Sequence, residues 1–327
     1  MKKLILLPTK NLALTIPIVL AAGFIVGLMV DTSALKKFIL PVTILMIYPA
    51  MIGFRIREIF NLSHTRLMLT SLGINFVLVP LLAYLLGTAF LLSEPQLFAG
   101  LAITSLLPTS NMTIAFTMFA KGNVPGAVKL TVLSLVLGSL LAPWYLLAMV
   151  GKYIPIDVLK TMQTIMLVVF LPLIMGTVTY SHILKKYTQE QFNQKIKPYL
   201  PAATAWGMVY IIFTSISSNA KYIVSRPDLL LLALTAQVIF YVLNYLMAIK
   251  ISRSFFKQKD SITLVFSTVL RNLSIAIGLA ATAFGSNAAL MVSLAFLIQG
   301  QAGAWFIKLN EKYKILPMDD TVHNLQK

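Results

Sequence analysis

No cysteine occurs among the 327 residues, which excludes disulfides, thiolate metal sites and thiol redox switching. Charge is scarce too. Only 11% of the residues are Asp, Glu, Lys or Arg, against about 25% in a soluble chain. The acids are the scarcer sign, ten against 27 basic residues. Asp31, Glu58, Glu94, Asp157, Glu190, Asp228, Asp260, Glu311, Asp319 and Asp320 all fall in loops, at the ends of apolar runs or in the C-terminal tail. His64, His182 and His323 fall in loops or the tail as well. The apolar runs therefore hold no carboxylate or imidazole to relay a proton. They also hold no nucleophile–base pair or metal constellation for an intramembrane enzyme. The expectation is no catalytic residue, no resident metal and no cofactor, with sodium the one ion left open.

What is abundant is apolar surface: 58% of the residues are hydrophobic and the mean hydropathy is +0.85, the composition of an integral membrane protein. Taking apolar runs of about 17–25 residues as spans gives ten, over 12–30, 35–54, 67–92, 97–119, 126–150, 158–180, 200–219, 228–249, 261–284 and 287–308. The seventh is the least hydrophobic, with Ser215, Ser217 and Ser218 near its end. Met1-Lys2-Lys3 has the look of a signal n-region, but Pro8-Thr9-Lys10-Asn11 interrupts it, and Leu12–Val30 is long enough to span as a retained helix. The tail over 316–327 is polar and expected to lack regular structure.

A net charge of +17 on a soluble chain would point to nucleic acid. Here it follows from the excess of Lys and Arg in cytoplasmic loops, so the expected partners are the bilayer and a small-molecule or anionic substrate, not nucleic acid. Twenty basic residues fall on the side that holds both termini, among them Lys2, Lys3, Lys10, Arg55, Arg57, Arg66, Lys121, Lys129, Lys257, Lys259 and Lys327. Six fall on the other side: Lys36, Lys37, Lys152, Lys160, Lys221 and Arg226. That bias predicts a multi-pass protein of the cell membrane with both termini in the cytoplasm. The remaining basic residue, Arg271, lies inside a span.

Two polar clusters break otherwise apolar runs: Pro108-Thr109-Ser110-Asn111 in span four and Ser267-Thr268-Val269-Leu270-Arg271-Asn272 in span nine. Irregular backbone at membrane depth survives only where protein buries it or where it lines a cavity. Paired interruptions in the two halves of a chain mark the binding site of a secondary transporter. Spans one to five (residues 1–150) and six to ten (151–315) form the halves, joined by the polar linker Ser181–Tyr199. Five is odd, so the second half must be inverted, and Asn111 and Asn272 become symmetry counterparts.

A broken helix frees N–H groups that attract anions and C=O groups that attract cations. Thr109, Ser110, Asn111, Thr113, Arg271 and Asn272 are the expected substrate-binding residues. Ser110, Asn111, Thr131 and Ser267 offer neutral oxygens to a hard cation. Interhelical hydrogen bonding is the plainer account of Thr113 and Thr131. Arg271 at a span centre costs roughly 2.5–3.5 kcal/mol on insertion scales, with no acid at depth to offset it. Its partner is then carbonyls, water or a bound anion, for which a guanidinium fork is well matched; bracing the crossing of the two broken helices is the alternative. Asn75, Gln237, Asn244, Gln299 and Gln301 read singly as interhelical contacts, with Asn75 and Gln301 held in reserve as site residues.

Leu40-Pro41 to Met51 with Gly53, the Pro108–Asn111 break, Lys121-Gly122-Asn123, and Arg271-Asn272 followed by Ala276 to Ala281 together resemble the bile acid:sodium symporter superfamily. Within it the chain is most similar to the arsenical-resistance (arsenite efflux) permease branch. The resemblance covers nearly the whole chain and implies an all-α membrane protein of ten helices, with core and panel domains and broken helices four and nine crossing in the core. It implies that Ser110, Asn111 and Thr131 match sodium-coordinating positions of the symporter branch. Ser267 stands where that branch has a glutamate, and Arg271 where it has a glutamine, the guanidinium then taking the place of the second ion. Arg271-Asn272 resembles the arsenite branch, but Thr109 replaces that branch's cysteine and Ile275 its glutamate. The expected function is a secondary transporter moving a small anion or organic acid by alternating access. The alternatives are an arsenite-type efflux permease without the usual cysteine and a sodium-coupled organic-anion symporter.

Overall fold

A computed structural model describes residues 12–54, 64–225 and 227–317. Lys2, Lys3, Lys10, Arg55, Arg57, Glu58, Arg226, the two tail acids Asp319 and Asp320, His323 and Lys327, all used in the sequence reading, lie outside the described residues. So does the expected polar tail beyond residue 317. Within them the chain is helical, with a single two-residue bridge between the segments around Pro108 and Arg271.

Helix α1 covers Leu12–Met29 and α2 Ile39–Met51, entered through the 3-10 turns Ser33–Phe38. Helix α3 covers Thr65–Phe90, α4 Pro95–Leu106, α5 Asn111–Phe119 and α6 Val124–Val150. Helix α7 covers Val158–Lys186 and α8 Leu200–Ser225. Helix α9 covers Pro227–Phe255, α10 Gln258–Val269, α11 Leu273–Ala283 and α12 Ser286–Tyr313. Seven of the helical stretches are long and apolar enough to cross a membrane on their own. Large apolar side chains such as Leu45, Leu69, Leu81, Leu159 and Leu231 face outward along them, a surface that suits lipid and not water.

The elements start and stop for local reasons. Asn123 Oδ1 accepts the Gly126 N–H at 2.9 Å and Asp157 Oδ1 the Lys160 N–H at 2.9 Å, each satisfying a donor that the first turn leaves free. The linker Ser181–Tyr199 is more ordered than a polar stretch suggests: α7 runs on to Lys186, and short helical turns fill 189–199. The Thr188–Gln191 capping box restarts the helix there.

Helices α3 and α7 each contain a π-helical turn, Ile74–Leu78 and Met166–Phe170, followed two residues on by a proline, Pro80 or Pro172. Proline has no N–H for the carbonyl four residues back. For Pro80 that carbonyl belongs to Phe76, and the Tyr145 hydroxyl of α6 donates to it instead.

Two groups of helices share the packing. Helix α8 packs most extensively against α1 and α2, and α7 packs on α2. Gly23 and Gly27 make the first of these possible, because a Cβ on Gly27 would lie 2.1 Å from the Ser217 carbonyl. Small residues four apart let helix backbones approach in a membrane. The second group joins α4 to α6 and α12, α9 to α10 and α12, and α11 to α12, with α11 also touching α2.

Candidate functional site

The two interruptions meet. Helix α4 ends at Leu106 because Leu107 precedes Pro108, and a residue before proline is driven out of the helical region. Thr109 then takes a left-handed conformation, φ +61°, with its hydroxyl donating to its own Pro108 carbonyl at 2.6 Å. A β-branched residue at positive φ is strained, and such strain persists only where the surroundings impose it. Ser110 restarts the helix. Its Oγ accepts the Met112 N–H at 3.2 Å, while the Ser110 N–H donates to Thr113 Oγ1 at 3.0 Å. On the other chain segment α10 ends at Val269, and Asn272 caps α11 by accepting the Ile275 N–H at 3.4 Å.

Across the junction the Asn272 N–H donates to the Leu107 carbonyl at 2.9 Å, and Thr113 Oγ1 donates to the Leu270 carbonyl at 3.3 Å. Arg271 pairs with Pro108, which has no N–H to offer, so its peptide needs another partner. Gln299 of α12 supplies it. Gln299 Oε1 accepts the Arg271 N–H at 2.7 Å and the Tyr241 hydroxyl at 2.9 Å, and its Nε2 donates to the Arg271 carbonyl at 3.0 Å. The side-chain amide thus acts as a one-residue strand beside the break.

The Arg271 side chain is among the largest fully buried ones of the described residues, 1% exposed. Nη1 reaches the Ser105 carbonyl at the end of α4, at 3.4 Å, one of the carbonyls that a helix C-terminus leaves unpaired. Nε and Nη2 have no hydrogen-bond partner among the described residues. A buried cation with two unsatisfied donors is costly and needs a further acceptor, either an anion or water.

Thr109, Ser110, Asn111, Thr113, Arg271 and Asn272 are therefore brought together at one junction, but on different terms. Thr109, Thr113 and Arg271 are buried, Ser110 and Asn272 partly so, and Asn111 is exposed. Ser267 and Thr131 stand apart from it. Ser267, a turn before the break, is buried with Ser71 (Oγ to Oγ 3.2 Å), and its carbonyl accepts from Asn75 Nδ2 at 3.2 Å. Asn75 lies in the π-helical turn, and its Oδ1 is buried without a donor. Thr131, in the second turn of α6, donates to Ala127 at 2.8 Å within its own helix. Lys129 lies in that turn as well and is 5% exposed, more deeply placed than the basic residues of the loops.

Gln299 and Tyr241 are the residues that sequence reasoning undervalued. Gln299 was legible as an interhelical contact, but only the need of the broken backbone for partners singles it out from Gln237, Asn244 and Gln301. Gly138 of α6 also belongs to the junction: a Cβ there would sit 2.6 Å from the Leu106 carbonyl.

Two broken helices that meet inside a helical, multi-pass membrane protein are a pattern found in secondary transporters. The comparison with known families agrees. The model of the sodium bile acid symporter family matches residues 40–226, more than half of the chain, and the chain belongs to that family. It is 24% identical to the protein YbaS of Bacillus subtilis over 79% of this chain and 83% of that protein. It is 27% identical to the putative symporter YfeH of Escherichia coli, over 72% and 71% of the two chains. The arsenical-resistance protein Acr3 of Corynebacterium glutamicum is 24% identical over 86% and 82%.

Proposed function

We propose that this protein is a secondary transporter of the cell membrane that moves a small anion or organic acid by alternating access, with Arg271 holding the negative group. The observation that carries this reading is the buried guanidinium whose Nε and Nη2 have no acceptor among the described residues. A carboxylate or oxyanion would satisfy both donors at once. Ser110, Asn111 and Asn272 stand at the starts of α5 and α11, whose helix dipoles favour the same charge. Sequence supports the rest of the layout: ten spans as two inverted repeats, 1–150 and 151–315, with both termini cytoplasmic.

A second reading has its own observation. Arg271 Nη1 points at the carbonyl end of α4, where a cation belongs. The guanidinium is then a tethered stand-in for a coupling ion, and the substrate contacts fall to Ser110, Asn111 and Asn272. Of the candidate ion ligands Ser110, Asn111, Thr131 and Ser267, the Thr131 and Ser267 hydroxyls donate to carbonyls of their own helices, which leaves their oxygen lone pairs as the part a cation would use.

Arg271→Gln separates the two. Under the anion reading, uptake of radiolabelled carboxylates or oxyanions into proteoliposomes is lost with or without sodium. Under the stand-in reading, transport survives and becomes sodium-dependent. Full, sodium-independent activity of the variant would sink both. The similarity to Acr3 adds arsenite to the substrates to be assayed.

A further inference from the structure

A cleft of about 840 Å³ opens between the end of α5 and the start of α10, lined by Lys121, Lys257, Lys259, His64, Asp260 and Met118 among others. Its floor is stitched by Asn123. The Asn123 N–H lies 2.9 Å from Thr263 Oγ1 and 3.1 Å from the Lys259 carbonyl, and Asn123 Oδ1 caps α6 through Gly126. Asn123 Nδ2 donates to Asp260 Oδ1 at 2.8 Å. Asp260, the carboxylate among the described lining residues, is thus tied to the floor, and three lysines line the same cleft.

Helix α10 begins here with Lys257 at its N-cap and no side-chain cap, so first-turn amides add to the positive field. Beside the lysines, Met118 and Phe119 end α5 with 55% and 64% of their surface exposed. A cationic cleft with an apolar shoulder is the form taken by a site at the membrane–water interface, where ammonium groups meet headgroups and apolar side chains meet acyl chains. Lysines are point charges without the planar fork of arginine, so they select charge and not shape. That suits a headgroup phosphate better than a shaped metabolite.

We propose that this cleft binds the phosphate of an anionic phospholipid and so clamps the outer ends of both broken helices, the last turn of α5 and the first of α10. The full-length protein in phosphatidylcholine nanodiscs, with and without phosphatidylglycerol at fixed ionic strength, tests this. Phosphatidylglycerol is expected to raise Tm by about 4 °C or more. The triple variant Lys121→Gln, Lys257→Gln, Lys259→Gln loses that gain, and the corresponding triple arginine variant keeps it. An equal gain in the glutamine variant, or none in the wild type, overturns the site. A gain from inorganic phosphate in phosphatidylcholine discs, with none from phosphatidylglycerol, overturns the lipid as its source. Should the triple variant fail to insert, Lys121→Gln and Lys259→Gln singly decide: each sheds part of the gain, and a full gain in both refutes the site.

Discussion

Gln299 holds Arg271 by its backbone, not by its charge: Oε1 takes the Arg271 N–H at 2.7 Å and Nε2 gives to the Arg271 carbonyl at 3.0 Å. The guanidinium is left out of this clamp: Nη1 reaches the Ser105 carbonyl at 3.4 Å, and Nε and Nη2 have no partner among the described residues. Both lone pairs of Oε1 are used, the second by the Tyr241 hydroxyl.

Gln299→Leu would strand the Arg271 N–H and the Tyr241 hydroxyl in a buried place, while the Arg271 carbonyl keeps the Leu273 N–H at 3.0 Å. Two unsatisfied donors cost roughly 2–6 kcal/mol, so the variant melts well below the wild type in detergent. Gln299→Glu retains the double acceptor but turns its second oxygen toward the Arg271 carbonyl, so it should melt between the Leu variant and the wild type. It also brings a carboxylate beside Arg271, so ligand-induced stabilisation by anions should fall. A Leu variant as stable as the wild type would show that the clamp contributes nothing.

Much of this arrangement was legible in the sequence. Apolar runs placed the helices, because chain in lipid must satisfy its own backbone and each run has to close as helix. Pro108 and Arg271-Asn272 marked the breaks, since neither fits an uninterrupted apolar helix. What could not be read was which partner serves each stranded backbone group. Gln237, Asn244 and Gln299 look alike in sequence, and only the fold aims Gln299 at the break. The π-helical turns were illegible for a similar reason. Pro80 announces a carbonyl without a donor, but Tyr145 lies 65 positions further along the chain. Ser267 and Thr131 were expected as ion ligands from the resemblance; what the sequence did not reveal is that their hydroxyls donate to the Leu264 and Ala127 carbonyls.

Gly138→Ala tests how closely α6 must approach the junction. The added Cβ would meet the Leu106 carbonyl at 2.6 Å, and this neighbour is backbone that cannot swing aside. Overpacking of this kind costs about 1–3 kcal/mol, and here the displaced atom belongs to the end of α4 that Arg271 also contacts. Transport should fall by more than the loss of Tm alone explains when the variant is assayed below its melting point. Unchanged flux would mean that the break tolerates movement of α6.

Arg271→Lys keeps the charge and discards the fork. If the guanidinium satisfies two ligand oxygens through Nε and Nη2, a lysine ammonium cannot reproduce that geometry. Anion affinity should then drop at least tenfold, about 1.4 kcal/mol. If Arg271 serves only as a fixed cation at the carbonyl end of α4, lysine should do nearly as well. Titration of anion-induced thermal shifts in the two proteins measures the difference.

Tyr145 and Pro80 should be coupled through the Phe76 carbonyl, to which Tyr145 donates and Pro80 cannot. Tyr145→Phe removes the one hydroxyl that donates to that carbonyl, and stranding it costs about 1–3 kcal/mol. Pro80→Ala restores a backbone N–H four residues on, able to take the hydroxyl's place within α3. In that background Tyr145→Phe should be nearly neutral, so the two changes together cost less than their sum. A double-mutant cycle on Tm or denaturant midpoint reads the coupling directly. Strict additivity would mean that the carbonyl finds another donor, and that the π-helical turn around Asn75 is held by packing and not by this bond.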